Sequence, residues 1–132
     1  MLRAAAGILI LATMTSVVSA QSNASSRTWL NGTWEGTGYQ IDTSETWTMR
    51  LVVAGNRYKI EYPSLKCSGR WNPISVGSWI ARFRERITLG VEECTDKGMV
   101  VIERLGHRQI AFRYSNPGAG NVTASAILNR KK

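Results

Sequence analysis

From residue 29 onward, short runs with apolar side chains at every second position alternate with stretches rich in Gly, Asn, Asp and Pro. No window shows the i, i+3, i+4, i+7 apolar spacing of an amphipathic helix. A period of two sends successive side chains to opposite faces of a pleated strand, so the pattern predicts strands with one buried face. Eight runs qualify: residues 33–41, 46–53, 57–62, 67–73, 79–89, 98–105, 108–115 and 121–129. The inward sets are Trp47, Met49, Leu51 and Val53; Tyr58, Ile60 and Tyr62; Trp79, Ala81 and Phe83; Ile110, Phe112 and Tyr114; and Val122, Ala124, Ala126 and Leu128. Thr46, Thr48, Arg50, Arg57, Lys59, Glu61, Arg82, Arg84, Arg86 and Arg113 fall on the opposite, solvated side. The run 98–105 is apolar on both sides, which leaves its facing open.

The connections are short. Ala54-Gly55-Asn56, Leu105-Gly106-His107 and Asp96-Lys97-Gly98 read as tight hairpin turns, and residues 116–120 as a wider one. Eight sequential antiparallel strands close most economically into an up-and-down barrel, because closure removes the unpaired edges of a small open sheet. The expected fold is therefore all-β, an eight-stranded antiparallel barrel of lipocalin or streptavidin type, with a two-sheet β-sandwich as the alternative.

At 132 residues the chain has room for one domain. Its first twenty residues read as an export signal: Arg3 supplies charge, an apolar run comes next, and Val18-Ser19-Ala20 offers a small-residue cleavage site. The division is a cleaved signal over 1–20, a polar arm over 21–28 and the β domain over 29–132. No later run approaches the roughly 20 apolar residues a spanning helix needs, so a soluble exported protein, periplasmic or secreted, is expected. Export into an oxidising compartment makes a Cys67–Cys94 disulfide the expected state of the two cysteines, stabilising the fold by roughly 3 to 4 kcal/mol.

Catalytic chemistry is thinly represented. His107 is the single histidine and sits in a predicted turn, and no phosphate-binding glycine loop, dinucleotide fingerprint or zinc-ligand spacing occurs. No cofactor, no metal and no catalytic residue is expected. Glu35 and Glu85 are the candidates for a carboxylate pair of the glycosidase kind. The register that turns Ala81 and Phe83 inward also turns Glu85 inward, where an unpaired carboxylate costs several kcal/mol; it must meet an arginine, the rim, a bulge or a ligand. Five tryptophans make an aromatic interior a candidate ligand site, with Trp47, Tyr58, Trp79, Phe112 and Glu85 as its residues.

Charge points outward. Lys and Arg number 17 against 9 Asp and Glu, a net charge of +8, and Arg82, Arg84 and Arg86 project from one face of one strand with Arg113 outward on another. Such a face attracts anionic polymers or an acidic protein in a salt-dependent way. Export and the lack of a reading motif argue against nucleic acid.

The run Tyr62-Pro63-Ser64-Leu65-Lys66-Cys67-Ser68-Gly69 resembles a Tyr-Pro-Ser-Leu-x-Cys-x-Gly motif of small exported bacterial all-β, lipocalin-like domains, some free-standing and some attached outside membrane-anchored kinases. Gly32-Thr33-Trp34-Glu35-Gly36 matches the Gly-x-Trp-x-Gly strand that precedes the motif in those domains. Arg84-Glu85-Arg86-Ile87, Gly90 and Cys94 match their arginine-flanked Glu, Ile, Gly and second Cys on its C-terminal side. The resemblance implies an all-β fold, the Cys67–Cys94 bridge and a scaffold role for Glu85, and it supplies no activity. The leading expectation is a non-enzymatic binding protein of the bacterial envelope or extracellular space. It would act through Arg82, Arg84, Arg86 and Arg113 on an unidentified protein or anionic envelope component, as an inhibitor, an accessory factor or a factor in host interaction and virulence. The alternative is a carrier of a small apolar or sugar ligand, and the third reading a carboxylate-dependent cell-wall hydrolase.

Overall fold

The period-two runs form eight strands in the computed structural model, which describes residues 28–132: β1 (Gly32–Gln40), β2 (Thr46–Ala54), β3 (Arg57–Tyr62), β4 (Cys67–Val76), β5 (Ile80–Leu89), β6 (Met99–Arg104), β7 (Gln109–Ser115) and β8 (Ala124–Arg130). The signal expected over 1–20 and all but the last residue of the arm expected over 21–28 lie outside the described residues. Each strand pairs antiparallel with the next, and β1 pairs with both β2 and β8, so the sheet closes into an up-and-down barrel rather than a sandwich. No helix among the described residues is long and apolar enough to cross a membrane.

Alternation puts the large side chains inside. Trp34, Leu51, Ile60, Trp71, Phe83, Ile102, Ile110, Phe112 and Leu128 are buried, with Trp71 stacked on Phe112 at 5.7 Å between ring centroids. The run whose facing the sequence leaves open turns Val100 and Ile102 inward. Two register slips, between Ser68 and Gly69 and between Pro73 and Ser75, bend β4 against β5. Pro73 sits at the second slip, where a strand tolerates the missing N–H.

One end of the barrel is sealed by the segment that enters β1. Trp29 and Leu30 are buried there; the Trp29 indole donates to the Gly77 carbonyl at 2.9 Å and the Trp34 indole to the Leu30 carbonyl at 2.8 Å. Arg130, at the end of β8, donates to the carbonyls of Asn31 and, at 2.9 Å, Trp29, while its guanidinium lies over the Trp34 ring. Gly32 adopts φ +126°, and a Cβ there would run into the Arg130 guanidinium.

Two expectations are corrected. Trp79 points out and is 62% exposed, with Arg104 5.3 Å from its ring centroid. The chain turns at residues 77–79, where the Gly77 N–H donates to the Ile80 carbonyl, so the alternation begins only at β5; Trp29 and Leu30 already fill that end. Asp96-Lys97-Gly98 is not a tight hairpin by itself but the close of a longer loop, residues 90–98. The Asp96 carboxylate accepts the Ile87 N–H at 2.8 Å, replacing a β6 partner for the last part of β5.

Candidate functional site

Opposite the sealed end the barrel is open. The mouth is ringed by the β1–β2, β3–β4, β5–β6 and β7–β8 connections around a cavity of about 760 Å³, within the range of small-ligand sites. Its inner wall is apolar and aromatic: Trp47 from β2, Tyr62 from β3, Phe112 and Tyr114 from β7, and Ala124 from β8. Glu45, Glu93, Thr95 and Asn116 stand on the connections above.

The Tyr-Pro-Ser-Leu-x-Cys run builds one side of this mouth. Pro63 opens a single 3-10 turn, Pro63–Leu65, in which proline's fixed φ suits the first helical position. Ser64 and Thr48 lock it to β2 reciprocally, each backbone N–H donating to the other's hydroxyl, at 2.9 Å from Thr48 and 3.1 Å from Ser64. Leu65 thereby reaches the cavity, and Lys66 takes a left-handed φ of 57° that returns the chain into β4. Cys67 then ties the opposite loop down through its disulfide to Cys94, with 6.3 Å between the Cα atoms.

Glu85 forms part of the cavity lining from inside the barrel, 2% exposed. Its partners within the barrel are a tyrosine and a tryptophan rather than an arginine. The Tyr62 hydroxyl donates to its Oε2 at 2.5 Å and the Trp71 indole N–H to the same oxygen at 2.8 Å. Trp71 stands directly opposite Glu85 in the β4–β5 register, and Tyr62 comes from β3. Burial raises the carboxyl from 4.5 to about 7, helped by the charge of Asp96 and opposed by the two hydrogen bonds. Burial and the facing carboxylate also push the Tyr62 and Tyr114 hydroxyls well up. Both hydrogen bonds land on Oε2; no donor among the described residues reaches Oε1. The Trp47 indole N–H is shielded from solvent and has no acceptor among the described residues; Asn31 Oδ1, by the sealed end, is the other shielded polar atom without a partner there.

Of the five interior candidates, Trp47, Phe112 and Glu85 come together in this cavity. Tyr58 faces a smaller hollow of about 440 Å³ by the sealed end, beside Asn31 and residues 73–76, and Trp79 is outside. Glu35 does not face Glu85. Trp34 turns inward, so Glu35 turns outward and pairs with Arg50 at 3.5 Å and Lys131 at 3.1 Å. His107 is exposed in the β6–β7 turn, 3.5 Å from the Arg104 guanidinium.

On the outer surface Arg82, Arg84 and Arg86 project from β5 as the alternation predicts. Lys59, Arg70 and Arg86 lie side by side across β3, β4 and β5, a like-charged row that weakens a sheet. Lys59 is paired with Glu61 at 2.9 Å, but among the described residues no carboxylate lies within ion-pair distance of Arg70, Arg82, Arg84 or Arg86. Arg113 lies in the same cross-strand row as Arg82, with Val101 of β6 between them, and is paired with Glu103 at 2.9 Å.

No family model matches the chain, and no curated protein matches it. Among solved structures, a redesigned β-barrel is similar at 14% identity and a TM-score of 0.58, over 81% of this chain and 96% of that one, a likeness of fold.

Proposed function

We propose that the chain is an exported binding protein that takes one small ligand into the open end of its barrel. The observation that carries this reading is the asymmetry of the interior. One end is sealed by Trp29, Leu30 and Arg130, while the other holds a cavity of about 760 Å³ whose wall contains one carboxylate oxygen and one indole N–H without partners. The shielded indole N–H costs free energy until an acceptor meets it, and the carboxylate oxygen lies on the cavity wall open to a donor. Binding rather than hydrolysis is favoured because Glu35, the carboxylate the sequence offered as the partner of Glu85, is held on the outer face by Arg50 and Lys131. The test is native mass spectrometry of the 21–132 form purified gently from its own host. An excess on the order of a few hundred daltons supports the reading; the bare chain, with no calorimetric response to small amphiphiles, counts against it.

The second reading, an acidic protein or anionic envelope polymer held on the outer face, is favoured by the row of Lys59, Arg70 and Arg86. Like charges set side by side at a cost to the sheet have a use when an anion covers them. An excess of whole-protein mass in the same spectrum would favour it.

A further inference from the structure

The chain is strongly basic, yet its open cavity is acidic. Lys and Arg outnumber Asp and Glu by 17 to 9, but among the described residues the cavity wall carries Glu45, Glu85 and Glu93 and no Lys, Arg or His. A third of the acidic residues therefore gather on a surface from which the basic ones are missing. Asp96 stands close enough to add its charge to the field at Glu85. This segregation discriminates among small ligands. A fatty acid or other carboxylate would enter against like charges, and a neutral sugar would gain nothing from them.

The atoms within the cavity narrow the class further. Tyr62 and Trp71 fix Oε2 of Glu85 and leave Oε1 without a donor. Trp47, Tyr62, Phe112 and Tyr114 supply aromatic faces. A carboxylate oxygen set among aromatic faces is the chemistry that recognises an ammonium group: the rings attract it by cation–π interaction while the oxygen takes its N–H.

Resting on the reading of the open barrel end as a calyx for one small ligand, we propose that the ligand is an organic amine with an apolar or aromatic body, its ammonium bound at Glu85 Oε1 and its body against Trp47 and Phe112. Glu45 and Glu93, exposed at the mouth, draw the cation in through a screened field. The free indole N–H of Trp47 adds a preference for amines that also carry an oxygen acceptor. The ammonium pairs with the ionised carboxylate, so any proton that Glu85 holds in the empty site passes to the buffer when the amine binds.

The experiment is isothermal titration of the disulfide-intact 21–132 form at pH 7 with three probes of one shape and different charge: phenethylamine, phenethyl alcohol and 3-phenylpropionate. The amine should bind at least about tenfold more tightly than the alcohol, and the acid more weakly than either. Glu85→Gln should bring the amine down to the level of the alcohol. The exposed pair Glu45→Gln with Glu93→Gln, which leaves the core untouched, should weaken the amine alone by about threefold, an effect lost in high salt. In buffers of different ionisation enthalpy, amine binding should release protons and alcohol binding none. Equal binding of amine and alcohol, or a preference for the acid, overturns the amine inference and leaves the calyx reading standing. Failure of all three probes at millimolar concentration overturns both.

Discussion

The guanidinium of Arg130 lies 4.1 Å from the centroid of the Trp34 ring, joining the last strand to the first across the sealed end of the barrel. The same side chain holds the incoming segment by donating to the carbonyls of Trp29 and Asn31. Burial, together with the neighbouring Arg104, pulls the guanidinium below its usual range, so its charge is kept there against a desolvation cost by specific partners. One residue thus fastens the barrel seam and the plug.

Arg130→Ala should therefore destabilise the fold by about 3 kcal/mol or more, because charge-assisted hydrogen bonds to the carbonyls of Trp29, Asn31 and His107 are lost together with a cation–π contact. Arg130→Lys should recover less than half, because an ammonium lacks the planar fork that reaches three carbonyls while covering a ring. Urea denaturation followed by tryptophan emission measures both. A loss below about 0.5 kcal/mol for Arg130→Ala would mean that the plug holds itself.

Glu85 predicts an unusual pH dependence. Its carboxyl is raised in the folded state to about 7 from 4.5, so the folded protein binds more protons than the unfolded chain between those values. The stabilisation is complete below about pH 4.5 and is lost as pH rises through 7, by roughly 3 kcal/mol in all. Glu85→Gln keeps an acceptor for Tyr62 and Trp71 and carries no charge. It should abolish this slope and be the more stable protein at pH 8. Denaturation midpoints across pH 4 to 8 decide, and a wild-type curve flat over that window would show that water or an ion relieves the carboxylate.

The sequence made most of the frame legible and little of the site. Most strands derive from period-two alternation, the run that forms β6 being apolar on both sides and marked only by its flanking turns, and parity with Ala81 and Phe83 correctly turns Glu85 inward. Parity failed at Trp79 because alternation describes a strand, and the chain at 77–79 is already a turn. The partners of Glu85 were hidden for another reason. Trp71 and Tyr62 reach it through the registers of β3, β4 and β5, and a bulged register is set by tertiary closure rather than by local pattern. Glu45 and Glu93 lie in connections, where no periodicity states which way a side chain faces. Tyr62 and Tyr114 were readable as interior residues, but not as the wall of a cavity. That distinction depends on which end Trp29 and Leu30 fill.

The Cys67–Cys94 disulfide should act on binding as well as on stability. With a sequence separation of 27, the loop-closure term is about 3 to 4 kcal/mol, so a Cys67→Ser, Cys94→Ser double variant should lose that much. Cys94 lies between Glu93 and Thr95, all three on the cavity wall. Release of the loop should therefore weaken a bound amine by at least about tenfold even at temperatures where the variant is fully folded. Titration calorimetry on the folded variant checks this; unchanged affinity would confine the disulfide to stability.

Charge reversal on the outer face separates the two binding readings. Arg82→Glu, Arg84→Glu and Arg86→Glu together should leave the fold intact, because all three side chains are exposed and Arg86 loses a like-charged neighbour in Arg70. If an anionic partner uses this face, capture on an acidic polymer should fall by at least about a hundredfold at low salt and converge with the wild type at high salt. Amine binding in the cavity should not weaken, and at low salt it should tighten a few-fold, because Arg84 is close enough to act on Tyr114 of the cavity wall. Loss of both together would tie the face and the calyx into one site.

Trp47 gives the sharpest contrast between empty and filled states. Its indole N–H is shielded and unpaired, beside Gly38, where a Cβ would collide with the ring. Trp47→Phe keeps an aromatic wall and deletes the orphaned donor. Loss of ring area and relief of an unsatisfied group oppose each other, so the empty protein should change stability by less than about 1 kcal/mol. A ligand whose acceptor meets that N–H loses a hydrogen bond and should bind about five- to tenfold more weakly. Paired titrations with phenethylamine and with a phenethylamine bearing a side-chain hydroxyl resolve the point. The hydroxylated amine should lose affinity in Trp47→Phe and the plain one should not, whereas equal losses would reduce Trp47 to a packing wall.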